Sequence, residues 1–194
     1  ENSRRNYEFQ ISVETVEQLK LALAREYVDR IFISDAIAFD ETVIDMLEEY
    51  RLNMRDKKHE SKICLAMPYI FREHTIRRYE RMYAKIEEKY DGILIRNWES
   101  YAWLRQHAYQ KEIRSDYNLY IFNQKAKEEL KDLGIGQGTA PVELNDRELA
   151  ELGIEEQAFI AYGYQPVMVS AGCIKKTSAS CDGKGGVLTI SDRY

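Results

Sequence analysis

The sequence predicts an α/β fold of parallel strands, a TIM-like (β/α) barrel that is complete or short of some strands. Three observations carry this. Short apolar segments alternate with longer amphipathic ones, nearly every apolar segment runs into a polar or Pro/Gly-bearing loop, and no glycine-rich dinucleotide turn follows the first. Strands that alternate with helices pair in parallel through right-handed crossovers, which leaves an open doubly wound sheet or a barrel; the loops and the missing glycine turn favour the barrel.

The elements follow in order. "YEFQISV" alternates Tyr7, Phe9, Ile11 and Val13 with polar residues, the period of a strand. In "ETVEQLKLALAREY", Thr15 and Gln18 form a capping box ahead of Val16, Leu19, Leu23 and Tyr27 at helical spacing. "RIFIS" is the second strand, and its helix carries Val43, Met46, Leu47, Tyr50 and Met54 on one face. "KICLAMP" is the third, followed by a long helix marked by Ile76, Tyr79, Met82, Tyr83, Ile86 and Tyr90. "GILIRN" is the fourth, with a short segment through Trp98, Tyr101, Trp103 and Leu104 after it. The fifth strand reads "EIRSDYNLYIFN", and its helix stops at Gly134, a left-handed cap. "TAPVEL" is the sixth, Asn145 and Glu148 open a helix ending at Gly153, and "QAFIAYGY" is the seventh. The rhythm breaks near Ser170, so residues 1–169 are expected to form the barrel domain and 170–194 the start of a cysteine-bearing loop and strand.

A chain of 194 residues with 44% apolar and 31% charged residues is large enough for one substantial core. The net charge of −5 gives no overall electrostatic footprint for nucleic acid, which leaves a local basic patch as the only electrostatic route to it. No stretch approaches the roughly 20 apolar residues of a membrane span, and no membrane partner is expected. The first residues, "ENSRRNYEFQ", hold neither an apolar signal core nor a methionine, so the chain is expected to be a piece of a longer cytoplasmic product. Its three cysteines, an odd count, argue for a reducing compartment rather than a disulfide framework. Cys64, in an apolar run, reads as a buried small hydrophobe.

In a parallel barrel the working face lies at the strand carboxyl ends. The residues there are Ser34, Asp35, Met67, Pro68, Arg72, Arg96, Asn97, Asp116, Asn118, Asn123, Glu143 and Asn145. Arg114, Asp116 and Asn118 share a face by period two, as do Thr139 and Glu143, so Asp116, Asn118 and Glu143 are expected to meet at the mouth. The plainer reading makes these groups helix caps and a structural network. His59, His74 and His107 fall in helical or connecting segments and read as solvated rather than catalytic. Arg77, Arg78 and Arg81 read as a solvated helix face paired with glutamates, with contact to RNA phosphates as the sharper alternative. Cys173 and Cys181 are separated by seven residues, too many for a redox Cys-x-x-Cys pair. Two unrelated surface cysteines and two metal ligands remain equally good readings.

The order of motifs "DYNLYIFN", "PVELN" and "AYGYQPVMVSAGC" with a second cysteine resembles the collagenase-like peptidase family of unknown catalytic type, well over residues 93–194 and loosely before. The resemblance implies a TIM-like barrel and, in several members, four cysteines that bind an iron–sulfur cluster. Cys173 and Cys181 match the first two as metal ligands, and the other two would lie past "SDRY". Some relatives resemble oxygen-independent hydroxylation factors for RNA bases or a quinone precursor. The resemblance makes Asp116, Asn118, Asn123 and Glu143 the catalytic set, with Arg72, Asn97 and Tyr162 as substrate-binding residues. Two departures stand out: "YGY", Tyr162 to Tyr164, replaces a frequent Tyr-Gly-Arg, and Ala158 replaces a frequent acidic residue whose role Glu156 is placed to take over.

The expected function is therefore the barrel domain of a bacterial protein acting in RNA base hydroxylation. Its cluster would be completed outside this chain, its partners would be RNA and the upstream and downstream domains of the same product, and the isolated piece would be inactive. The alternatives are a peptidase, as the family label says, and a noncatalytic barrel module supporting a partner domain.

Overall fold

The computed structural model describes residues 7–55, 59–166 and 168–171. The chain divides into two compact units, Glu1–Ala161 and Tyr162–Tyr194. Among its described residues the first holds five parallel strands, β1 (Gln10–Val13), β2 (Arg30–Ser34), β3 (Lys62–Ala66), β4 (Gly92–Ile95) and β5 (Glu112–Ser115), in spatial order 1-2-3-4-5. Six α-helices connect or follow them: α1 (Val16–Leu23), α2 (Glu41–Met54), α3 (Glu73–Lys89), α4 (Trp98–Gln106), α5 (Gln124–Asp132) and α6 (Asp146–Leu152). The alternation of strand and helix is as the sequence predicts.

Local chemistry sets the helix limits. Thr15 with Gln18, and Asn145 with Glu148, form reciprocal capping boxes at the starts of α1 and α6. Gly134 and Gly153 follow α5 and α6 at φ 75° and 69°, a conformation that costs glycine nothing. Asn97 and Asn123 cap α4 and α5.

One side of the sheet carries the row Val13–Ile33–Leu65–Ile93–Ile113, which joins the helix side chains in a single large apolar core. Period two sends the alternate residues to the other side, where Phe32, Cys64, Ala66 and Leu94 form a second buried cluster. Every residue of β2 and β4 is buried, so this second side is covered although the helices pack on the first. The cover comes from curvature. Flat, β1 and β5 would lie about 19 Å apart at ~4.8 Å per strand, yet Arg114 of β5 donates to Glu8 beside β1 at 2.8 Å. The two edges of the sheet thus face each other across its concave side.

Beyond β5 the predicted sixth and seventh strands shrink to isolated parallel bridges, Ser115 with Gly138 and Thr139 with Ala158. Pro141 removes a ladder donor from "TAPVEL", and residues 142–144 bend directly into the α6 cap. The fifth strand is also shorter than predicted. Asp116 accepts a hydrogen bond from the Tyr117 N–H at 2.9 Å, and residues Tyr117–Leu119 coil into a 3₁₀ turn. That correction takes Asn118 off the strand face shared by Arg114 and Asp116.

Candidate functional site

At the carboxyl ends of β3, β4 and β5 the polar residues collect around one buried ion pair. Arg96 Nε donates to Asp116 Oδ2 at 2.9 Å, and both side chains are under a tenth exposed. Arg96 also reaches the Met67 carbonyl at 3.4 Å. The Tyr69 ring lies over the guanidinium, its centroid 4.3 Å away, a cation–π arrangement. Tyr69 and Tyr117 lie close enough for each phenol to affect the other's titration. Burial pushes the Tyr69 phenol above its ordinary range although Arg96 pulls the other way, and burial does the same to Tyr117 with help from Tyr69. Both remain protonated at neutral pH and so stay hydrogen-bond donors.

Asn97 braces this group from below. Its Oδ1 accepts from the Ser100 N–H and hydroxyl, and its Nδ2 donates to the Pro68 and Tyr69 carbonyls at 2.9 and 3.1 Å. The α4 cap therefore fixes the loop that carries Tyr69. Asn118, two residues from Asp116, holds a buried Nδ2 with no hydrogen-bond partner among the described residues. A buried donor left unpaired costs about 1–3 kcal/mol.

Of the residues predicted from sequence, the structure joins Asp116 to Arg96 and sets Asn97 beside them. Asn123 accepts from the Ala126 N–H at 2.9 Å as the α5 cap. Glu143 is exposed and makes no hydrogen bond or ion pair with Asp116 or any other described residue. Arg72 is exposed at the start of α3. Tyr162, in the second unit, is 93% exposed. Cys173 and Cys181 lie outside the described residues. Tyr69 and Tyr117 were not singled out by sequence, though Tyr69 follows the strand-terminal Pro68 and Tyr117 sits inside the "DYN" motif.

Two of the histidines are exposed as expected, His59 with a bond to the Val28 carbonyl at 3.0 Å and His74 at 3.2 Å from the Thr75 hydroxyl, whereas His107 departs from that reading, its ring half-buried against Tyr83 and Trp103. The arginines of α3 divide: Arg77 pairs with Glu73 one turn away on the exposed face, whereas Arg78 pairs with Asp35 at 2.6 Å and lies over Phe39 and Tyr79.

Among the described residues no group of three or more His, Cys, Asp or Glu could hold a metal ion. Within the same residues no helix is long and apolar enough to cross a membrane. The fold and site define an α/β unit with a parallel sheet and a polar cluster at its carboxyl ends. No family model matches the chain, and no curated protein and no solved structure matches it.

Proposed function

We propose that this chain is the (β/α)-barrel domain of a collagenase-like peptidase family protein that acts in RNA base hydroxylation and binds its substrate at the strand carboxyl ends. Support for the barrel is the curl that brings Gln10 of β1 within 3.0 Å of Gln137, which lies just before the bridge beyond β5. Support for the site is above all the buried, unpaired Asn118 amide, held in the 3₁₀ turn that Asp116 of the Arg96–Asp116 pair caps. A ligand carbonyl or anionic oxygen would satisfy that donor, and the neutral Tyr69 and Tyr117 phenols offer further donors. In this reading the residues bind and orient a polar substrate. The described cluster contains no nucleophile–base pair of the kind peptide hydrolysis needs.

An iron–sulfur cluster takes four ligands, and the described residues do not fit one. Cys64 is buried beneath the sheet's concave surface, burial raises its thiol above the ordinary range, and Arg30 donates to its sulfur at 3.1 Å. Cys173 and Cys181 are the ligands on this reading, with the rest supplied elsewhere in the full protein, where the cluster would bring redox chemistry. The test is anaerobic expression of the full-length protein, its visible absorption, and mass spectrometry of nucleosides from RNA treated with it. A brown protein that loses colour on Cys173→Ser, with a hydroxylated nucleoside lost on Asn118→Leu, is expected. A folded colourless protein, or gelatin cleavage dependent on Asp116 with unmodified RNA, overturns the proposal.

A further inference from the structure

His107 follows α4 as its cap residue, and both its ring nitrogens face groups that can only accept. Nδ1 lies 2.9 Å from the Trp103 carbonyl, and Nε2 lies 2.9 Å from Glu80 Oε2 of α3. A carbonyl has no proton to give. Glu80 is held ionised, because its other oxygen accepts from the Trp103 indole N–H at 2.7 Å and these contacts lower its carboxyl below the usual range. A neutral imidazole carries one N–H and could make only one of the two bonds. The geometry therefore calls for the doubly protonated ring.

We propose that His107 is a proton-operated clip between α3 and α4, closed as the imidazolium and loosened when the ring loses a proton. The ring sits against Trp103 and Tyr83 with centroids 4.3 and 4.6 Å away, so the cation is also flanked by aromatic faces. The groups acting on it are Glu80, Tyr83 and Glu87 from α3 and the Trp103 carbonyl and indole from its own helix. Burial disfavours the charge, but the Trp103 carbonyl and the Glu80 and Glu87 carboxylates outweigh it, and the folded ring titrates above its ordinary value. The sign follows from linkage. A raised folded value adds stability that is complete below the unfolded value and disappears as pH rises through the folded one. Three contacts close together here: deprotonation removes the Glu80 bond or the carbonyl bond, and Glu80 also anchors the indole.

The test is an imidazole ¹⁵N NMR titration of the whole chain, folded and in denaturant, with Glu80→Gln alongside. The folded His107 midpoint is expected above its own denatured value, with both nitrogens protonated below it, and Glu80→Gln should bring it down. Trp103 fluorescence should change through the same midpoint. A folded midpoint at or below the denatured one, a single protonated nitrogen on the acid side, or a midpoint that Glu80→Gln leaves in place each overturns the clip. The wild-type titration decides the matter even if the variant fails to fold.

Discussion

Both ends of the sheet bury charge on the concave side, and they do so differently. At the amino end Arg30, 1% exposed, pairs with Glu8 at 3.0 Å and Glu112 at 3.1 Å, while Arg114 pairs with the same two carboxylates at 2.8 and 2.7 Å. The four side chains close a ring, with Gln10, Gln137 and Cys64 taking the remaining hydrogen bonds. Gly92 leaves room for it, since a Cβ there would meet the Glu112 carbonyl at 2.9 Å and the Cys64 sulfur at 3.4 Å. At the carboxyl end a single pair, Arg96 with Asp116, sits among tyrosines and an unpaired amide. A network whose members satisfy one another stabilises; one that leaves a donor unpaired has a place for something else. On the barrel reading proposed above, the amino end would be the stability face and the carboxyl end the working one.

Breaking the amino-end ring should have the largest effect. Arg30→Met leaves Glu8 and Glu112 facing each other with one cation fewer, and removing one partner of a buried pair costs about 3–5 kcal/mol. Urea denaturation should show that loss; a loss under ~1 kcal/mol would mean that the ring is not what holds the sheet edges together. Acid should act on the same ring. Burial raises the Glu8 and Glu112 carboxyls, but Arg114 and Arg30 outweigh it and both end below the ordinary carboxylate range. Their stabilisation is present above the unfolded value and fades as pH falls through the folded ones. Denaturation midpoints of the wild type should therefore drop more steeply on acidification than those of Glu112→Gln, and parallel curves would count against the assignment.

The two ends also differed in how far the sequence revealed them. Capping boxes and left-handed glycines lie within four residues of what they control, so Thr15, Asn145, Gly134 and Gly153 were readable at once. The carboxyl-end residues were readable as a set because strand ends can be placed from periodicity, though Asn97 and Asn123 proved to be helix caps, the plainer reading. The amino-end ring was not readable. Its bonds join Glu8 to Arg114 and Gln10 to Gln137, separations of 106 and 127 residues, and only the curl of the sheet brings them together. The sixth and seventh strands failed for a related reason: apolar composition marks a segment that will pack, whereas a ladder also needs donors in register, which Pro141 interrupts.

At the carboxyl end the expected change has the opposite sign. Replacing a buried unpaired donor by an apolar group of similar size is neutral or stabilising. Asn118→Leu should hold or raise stability, by up to about 1 kcal/mol, while abolishing ligand binding, the trade-off expected of a functional group kept at a cost. Urea denaturation of the two forms checks the first half. A loss above ~1 kcal/mol would show that the amide has a structural partner, and the contrast between the two ends would weaken accordingly.

The smallest effects concern one strained residue at each end. Ala108, after α4 on the amino side, and Tyr120, after the 3₁₀ turn on the carboxyl side, are the described non-glycine residues with positive φ, at 51° and 53°. The left-handed conformation costs such residues roughly 1–2 kcal/mol, and glycine returns part of that as lost chain entropy, about 0.5–1 kcal/mol. Ala108→Gly should thus stabilise by about 0.5 kcal/mol without consequence for the site, because nothing but a helix end is relaxed. Tyr120→Gly should give a similar gain in stability but a change in ligand affinity, because the 58% exposed ring belongs to the loop that carries Asp116 and Asn118. Thermal unfolding and ligand titration of the two variants separate these outcomes. Equal effects on affinity, or none at either position, would place the strain outside function and leave the unpaired amide as the sole mark of a working end.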